Sequence, residues 1–189
     1  FVRRGEHVEE VRRIIQEAGG TQHVVAKIES SAGLRNIDEI IAAADAVMVA
    51  RGDLGVEIAA EEVPLAQRML IRKCNRAGKP VITATQMLDS MIRNPRPTRA
   101  EVTDVANAIF EGTDCVMLSG ETAMGRYPVR AVQVMDRIAR RMEQVIDYGA
   151  VLREKAVEAR SQIDQAVTLA ACQVTHDLGL ELMICSTFS

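Results

Sequence analysis

Ala46-Val47-Met48-Val49-Ala50-Arg51-Gly52-Asp53 sets five apolar residues directly against an arginine, a glycine and an aspartate. A short apolar run of this kind, rich in β-branched residues, fits a strand of a parallel sheet, where both faces are covered. Three further runs share its character: Val24-Val25-Ala26-Lys27-Ile28, Val81-Ile82-Thr83-Ala84-Thr85 and Cys115-Val116-Met117-Leu118. The stretches between them have helical spacing. Over 6–18, Val8, Val11, Ile14 and Ile15 fall on one face. Asn36, with Glu39 three places on, is a candidate N-cap for a helix over 36–43. Pro64 opens a helix over 62–77 that stops before Gly78-Lys79-Pro80. Helices over 99–111, stopping at Gly112, and over 128–147, opened by Pro128, complete the series.

Strand alternating with helix calls for parallel strands joined by helical crossovers. The fold class is therefore α/β, either a doubly wound sheet or a (β/α)8 barrel. Phe1-Val2-Arg3 reads as the tail of one more strand, which gives about five β/α units where a complete barrel has eight. Residues 149–163 are charged and Ala-rich and read as a helix-like connector. A helix from Gln165 to about Leu178, a stop at Gly179 and a strand over Glu181-Leu182-Met183-Ile184-Cys185 then open a second domain. The expected division is 1–147 for the barrel part, 148–163 for a linker and 164–189 for the start of a C-terminal α/β domain.

Composition removes several function classes. The 189 residues are 48% hydrophobic and 26% charged, which excludes collagen-like, mucin-like and wholly disordered chains. A net charge of -3 and 3% aromatic residues argue against nucleic-acid binding. Apolar runs are short and broken by charge, so no span of about 20 apolar residues is available to cross a membrane. With no tryptophan, the core must be aliphatic, with methionine filling gaps, as expected of Met48, Met69, Met87, Met91 and Met117. Cys74, Cys115, Cys172 and Cys185 form no CxxC pair and do not cluster with His7, His23 or His176, which argues against zinc and against a disulfide framework. Cys115 and Cys185 read as buried small hydrophobes, Cys74 as inert helix packing, and the cytoplasm as the default compartment.

In β/α folds ligands bind at the carboxyl ends of the strands, and here those ends are polar. The first ends in Lys27-Ile28-Glu29, with Lys27 and Glu29 on one face by alternation. The others end in Arg51-Gly52-Asp53, Thr85-Gln86 and Ser119-Gly120-Glu121-Thr122. Glu29 and Asp53 are hard oxygen donors suited to Mg²⁺, and Lys27 beside them could stabilise a phosphoryl group or an enolate oxygen. The Gly52 and Asp53 amides could cradle a carboxylate if a helical turn begins there, and Thr85 offers a neutral hydroxyl. Taken singly, a Lys-x-Glu pair is commonly an ion pair, Thr85 an ordinary strand residue and Ser119-Gly120-Glu121-Thr122 a turn with a helix cap. Arg51-Gly52-Asp53 also spells an adhesion tripeptide, but it follows a buried strand. Convergence on one rim favours the functional reading. There is no GxxxxGK[ST] loop, and Gly52-x-x-Gly55 is too sparse to mark a dinucleotide site.

These motifs resemble the pyruvate kinase family. The resemblance is carried by Lys27-Ile28-Glu29, Met48-Val49-Ala50-Arg51-Gly52-Asp53-Leu54-Gly55, Gly78 through Leu88, Asn94-Pro95-Arg96-Pro97-Thr98-Arg99-Ala100-Glu101 and Leu118-Ser119-Gly120-Glu121-Thr122-Ala123. It implies an internal piece of a longer chain, a partial (β/α)8 barrel of about the last five β/α units followed by the start of an α/β C-terminal domain, with phosphoryl transfer from phosphoenolpyruvate to ADP to give pyruvate and ATP. It also implies Mg²⁺ (or Mn²⁺), K⁺ bound outside this segment, and a homotetramer. In the motif, Lys27 matches the lysine that stabilises the phosphoryl and the enolate, Glu29 and Asp53 the Mg²⁺ ligands, and Gly52 and Asp53 the carboxylate cradle. Thr85 matches the threonine near the enolate carbon, while Arg51, Ser119 and Glu121 fall on the supporting rim. The segment alone is expected to be inactive. Competing readings are a Mg²⁺-dependent aldolase or lyase on a similar barrel, and a non-catalytic truncated piece.

Overall fold

The computed structural model describes residues 1–158, 163–180 and 182–184. The chain forms two compact units, Phe1–Gln144 and Val145–Ser189. In the first, four parallel strands, β1 (Val25–Ile28), β2 (Ala46–Ala50), β3 (Val81–Ala84) and β4 (Cys115–Met117), lie in the order β1-β2-β3-β4. Each strand bonds to the next in sequence. A doubly wound sheet reverses its order at a switch point; this sheet does not, and its unbroken progression is that of a barrel wall.

The helices are α1 (Gly5–Glu17), α2 (Ser31–Arg35), α3 (Ile37–Ala43), α4 (Arg51–Glu57), α5 (Val63–Arg76), α6 (Arg99–Phe110), α7 (Gly120–Ala123) and α8 (Pro128–Glu143). Pro64 sits in the first turn of α5, and Gly78 ends the segment with φ of 64°. Gly112 follows α6 with φ of 89°, a left-handed conformation in which a Cβ would be strained. Thr98 and Glu101 form a reciprocal capping box at the start of α6. Asn36 does precede α3, but its side chain caps nothing. Its amide donates instead to the Arg3 carbonyl at 2.8 Å, and Glu39 accepts from the Gly5 amide.

Register places Ile28, Val49, Thr83 and Val116 in one row across the sheet, and Lys27, Met48, Ile82 and Cys115 in the neighbouring row on the opposite face. The first row faces the helices. Val8, Ile37, Ile40, Ile41, Leu70, Ile71 and Cys74 close over Ala26, Ile28, Val47, Val49 and Val81. A second cluster, built on Met87, Leu88, Met91, Val105, Ala108, Ala131, Val134 and Ile138, packs α6 and α8 beneath the end of the sheet. Within this unit helices cover one face only. Val25 is 45% exposed on the other, and Cys115 is exposed there too, not buried as its apolar run suggested. The run forms a strand, as its composition implies, but alternation directs Cys115 to the uncovered face. Phe1–Arg3 form no strand, so the sheet begins at β1.

The second unit contains α9 (Tyr148–Glu158) and α10 (Ile163–Asp177), with Gly179 at φ of 60° behind α10. Of the strand expected over 181–185, Glu181 and Cys185 lie outside the described residues, and Leu182–Ile184 are not in a strand. No partner strand bonds to them among the described residues, and an isolated strand leaves its backbone groups unpaired. Among the described residues, no helix is long and apolar enough to cross a membrane.

Candidate active site

The polar ends of β1 through β4 form one rim. Lys27 projects from the uncovered face at the end of β1, and its Nζ lies 2.6 Å from Glu29 Oε2 and 2.6 Å from Asp53 Oδ2. One ammonium thus bridges a carboxylate on its own strand end and another on the first turn of α4. The hydrogen bond to Asp53, then that to Glu29, raises the Lys27 pKa above its ordinary value. Glu29 is held below the usual carboxylate range by the Lys27 hydrogen bond. The Lys27 and Asp53 side chains stay about half exposed while Glu29 is 13% exposed, so solvent reaches the triad through Lys27 and Asp53.

Helix α4 begins at Arg51, so the Gly52 and Asp53 amides lie in its first turn, where a helix offers no internal acceptor. The Gly52 amide donates to Thr85 Oγ1 at 2.7 Å. A Cβ on residue 52 would stand 3.4 Å from that hydroxyl, so glycine keeps the approach uncrowded. Thr85 itself has φ of 69° and Gln86 φ of 55°, sparsely populated for any residue with a Cβ and most of all for a β-branched one.

Arg51 is turned inward, its side chain only 10% exposed. Its guanidinium donates to Asp104 Oδ1 at 2.6 Å, to the Thr85 carbonyl at 2.7 Å, and more weakly to the Ala84 carbonyl and Gln67 Oε1. Glu121 is buried, accepting from the Leu88 amide at 3.0 Å and the Ser119 amide at 2.8 Å. Ser119 occupies the N-cap position of α7 without a side-chain capping bond. The rim residues singled out from the sequence therefore separate. Lys27, Glu29, Asp53, Gly52 and Thr85 come together at the surface, while Arg51 and Glu121 point beneath it. Sequence reasoning missed Asp104 and Gln67, because only the fold brings α6 and α5 against Arg51.

Glu29 and Asp53 present oxygens to one point between them, occupied by the Lys27 ammonium. Among the described residues no group of three or more potential metal-ligating side chains exists. Two carboxylates and no more suit Mg²⁺, which keeps several positions for water or substrate oxygens.

The profile of the pyruvate kinase barrel domain matches residues 1–132. The chain belongs to the pyruvate kinase family. It is 56% identical over 191 residues to pyruvate kinase of Geobacillus stearothermophilus, covering all of this chain and 32% of that protein. Pyruvate kinase of Clostridium acetobutylicum is 50% identical over 188 residues, covering 99% of this chain and 40% of its own length. Among solved structures, a pyruvate kinase from Cryptosporidium parvum matches with a TM-score of 0.91 and 45% identity, over 95% of this chain and 38% of that one. The chain thus spans about a third of the length of these pyruvate kinases. The four-stranded wall is accordingly part of a pyruvate kinase barrel.

Proposed function

We propose that this segment supplies one side of an active site that transfers the phosphoryl group of phosphoenolpyruvate to ADP, giving pyruvate and ATP. The observation that carries the reading is the convergence of Lys27, Glu29 and Asp53 at 2.6 Å contacts beside the Gly52 amide and the Thr85 hydroxyl. Lys27 would stabilise charge on the phosphoryl oxygens in flight and on the enolate oxygen left behind. Phosphoryl transfer asks a protein mainly for positioning and positive charge. The Gly52 and Asp53 amides would take the substrate carboxylate, the Gly52 amide exchanging Thr85 Oγ1 for it, and Thr85 would stand near the enolate carbon, where a proton completes pyruvate.

Glu29 and Asp53 would hold Mg²⁺, or Mn²⁺ in its place, releasing their grip on Lys27. When bound, the cation would neutralise phosphoryl and enolate oxygens. K⁺, if used, would bind outside this segment. Residues 1–147 would be part of the catalytic barrel, 148–163 a connector and 164–189 the opening of a C-terminal domain. The complete protein would be a cytoplasmic homotetramer.

The test is an exchange of segments. Residues 1–189, grafted in place of the matching segment of the Geobacillus stearothermophilus pyruvate kinase, should retain ADP-dependent pyruvate formation, while residues 1–189 alone should give none. Normal turnover by the isolated segment would overturn the half-site reading. Enolate formation from pyruvate with no nucleotide dependence in the graft would point to the lyase chemistry instead.

A further inference from the structure

The Gly52 amide and the Thr85 hydroxyl meet on a backbone that does not hold itself. Left-handed Thr85 and Gln86 each cost on the order of 1–3 kcal/mol and persist only where the surroundings over-determine them. Two charged side chains turned into the fold, Arg51 and the buried Glu121, grip this turn from opposite sides. From the β2 side, Arg51 donates to the carbonyls of Ala84 and Thr85, the residues that enter the turn. Its guanidinium is fixed in turn by Asp104 and by Gln67, and the Gln67 amide is itself spent on Glu111 Oε2 at 2.8 Å. From the β4 side, Glu121 accepts from the Leu88 amide, where the turn leaves, and ties it to the Ser119 amide at the start of α7.

We propose that Arg51 and Glu121 are positioning residues that act through Thr85, clamping its backbone left-handed so that its hydroxyl stands at the Gly52 amide. The inference rests on the reading of Thr85 and Gly52 as substrate contacts, and it extends that reading to residues that touch no substrate. The chemistry of each side chain fits the task. The guanidinium spreads its donors over Nε, Nη1 and Nη2 and so reaches Asp104 and two successive carbonyls from separate nitrogens; the donors of a lysine all sit on one nitrogen. Only a carboxylate offers two acceptors to the convergent Leu88 and Ser119 amides. A glutamine would turn its NH₂ toward one of them and leave a buried donor unpaired.

A purely structural role would lower stability without coupling to Thr85, and a double-mutant cycle separates the two. In the full-length protein carrying this segment, Arg51→Lys and Thr85→Val should each lower kcat roughly 10- to 100-fold, the scale of a small misplacement at a reacting centre. Together they should cost little more than the larger alone. Glu121→Gln should couple to Thr85→Val in the same way, and serves if Arg51→Lys fails to fold. Independently of turnover, amide exchange at Gly52 should quicken relative to exchange at Val49 in both Arg51→Lys and Glu121→Gln. Losses that simply multiply, or an unchanged Gly52-to-Val49 ratio, would overturn the clamp. If the parent protein transfers no phosphoryl group to ADP, the functional reading fails and the exchange ratio alone decides the clamp.

Discussion

Two sets of charges sit on the same strand ends and live in different dielectrics. In the Lys27–Glu29–Asp53 triad Lys27 and Asp53 are 44% and 56% exposed and only Glu29, at 13%, is largely covered; Arg51, two residues from Asp53, is 10% exposed and bonded to Asp104 and two backbone carbonyls. An exposed pair exchanges partners with water and ions at little cost, its net worth being about 0–1 kcal/mol. A buried one cannot, because losing a partner strands the other in a poor solvent. The half-exposed Lys27 and Asp53 can therefore change partners, while the Arg51 network is held in place. Charge alone would have grouped them together.

The sharpest way to break this contrast is Lys27→Met in the full-length protein. Phosphoryl transfer should fall by about 10³-fold or more, the scale of losing a main electrostatic stabiliser, while Mg²⁺ binding measured by calorimetry persists and the melting temperature barely moves. Loss of metal binding instead would make Lys27 structural. Next in size is Arg51→Met, expected to lower unfolding free energy in denaturant by roughly 2–3 kcal/mol, because buried acceptors lose their donors. A change below about 0.5 kcal/mol would place Arg51 with the exposed charges.

A smaller effect is the pH dependence of stability. The Glu29 pKa is depressed, so its contribution is present above the ordinary value of 4.5 and is lost as pH falls through the lower folded value. The Lys27 pKa is raised, so its contribution is present below 10.5 and lost as pH climbs through the higher folded value. Denaturant melts should show both limbs, and Lys27→Met should flatten them; limbs unchanged by that substitution would assign them to other groups. Smallest is a thiol contrast. Burial pushes Cys74 up to about 11, so at pH 8 a thiol reagent should modify the exposed Cys115 of the 189-residue chain and spare Cys74. Equal rates at the two would mean that the helix-covered face opens as readily as the bare one.

Much of the frame was legible in order along the chain. Apolar β-branched runs marked all four strands, and Pro64, Gly78 and Gly112 marked helix ends, because backbone preference at those positions is local. Alternation put Lys27 and Glu29 together for the same reason. The misreadings have one origin. Asn36 had the right neighbours for a cap but found the Arg3 carbonyl nearer. Cys115 lay in an apolar run but faced the side that no helix covers. The run Phe1–Arg3 had strand composition but forms no ladder, and its Arg3 carbonyl accepts from Asn36 instead.

The four strands, the long helices, the parallel α/β class and the residues at the strand ends follow from the sequence alone, since each depends on covalent geometry and on spacing within a few residues. Tertiary structure decided the barrel-like strand order over a doubly wound one, the 2.6 Å bridge from Arg51 to Asp104 across 53 positions, and the left-handed turn at Thr85. Those depend on which distant groups the fold brings within hydrogen-bond reach. Whether a rim charge faces water or is locked beneath the surface is settled only there.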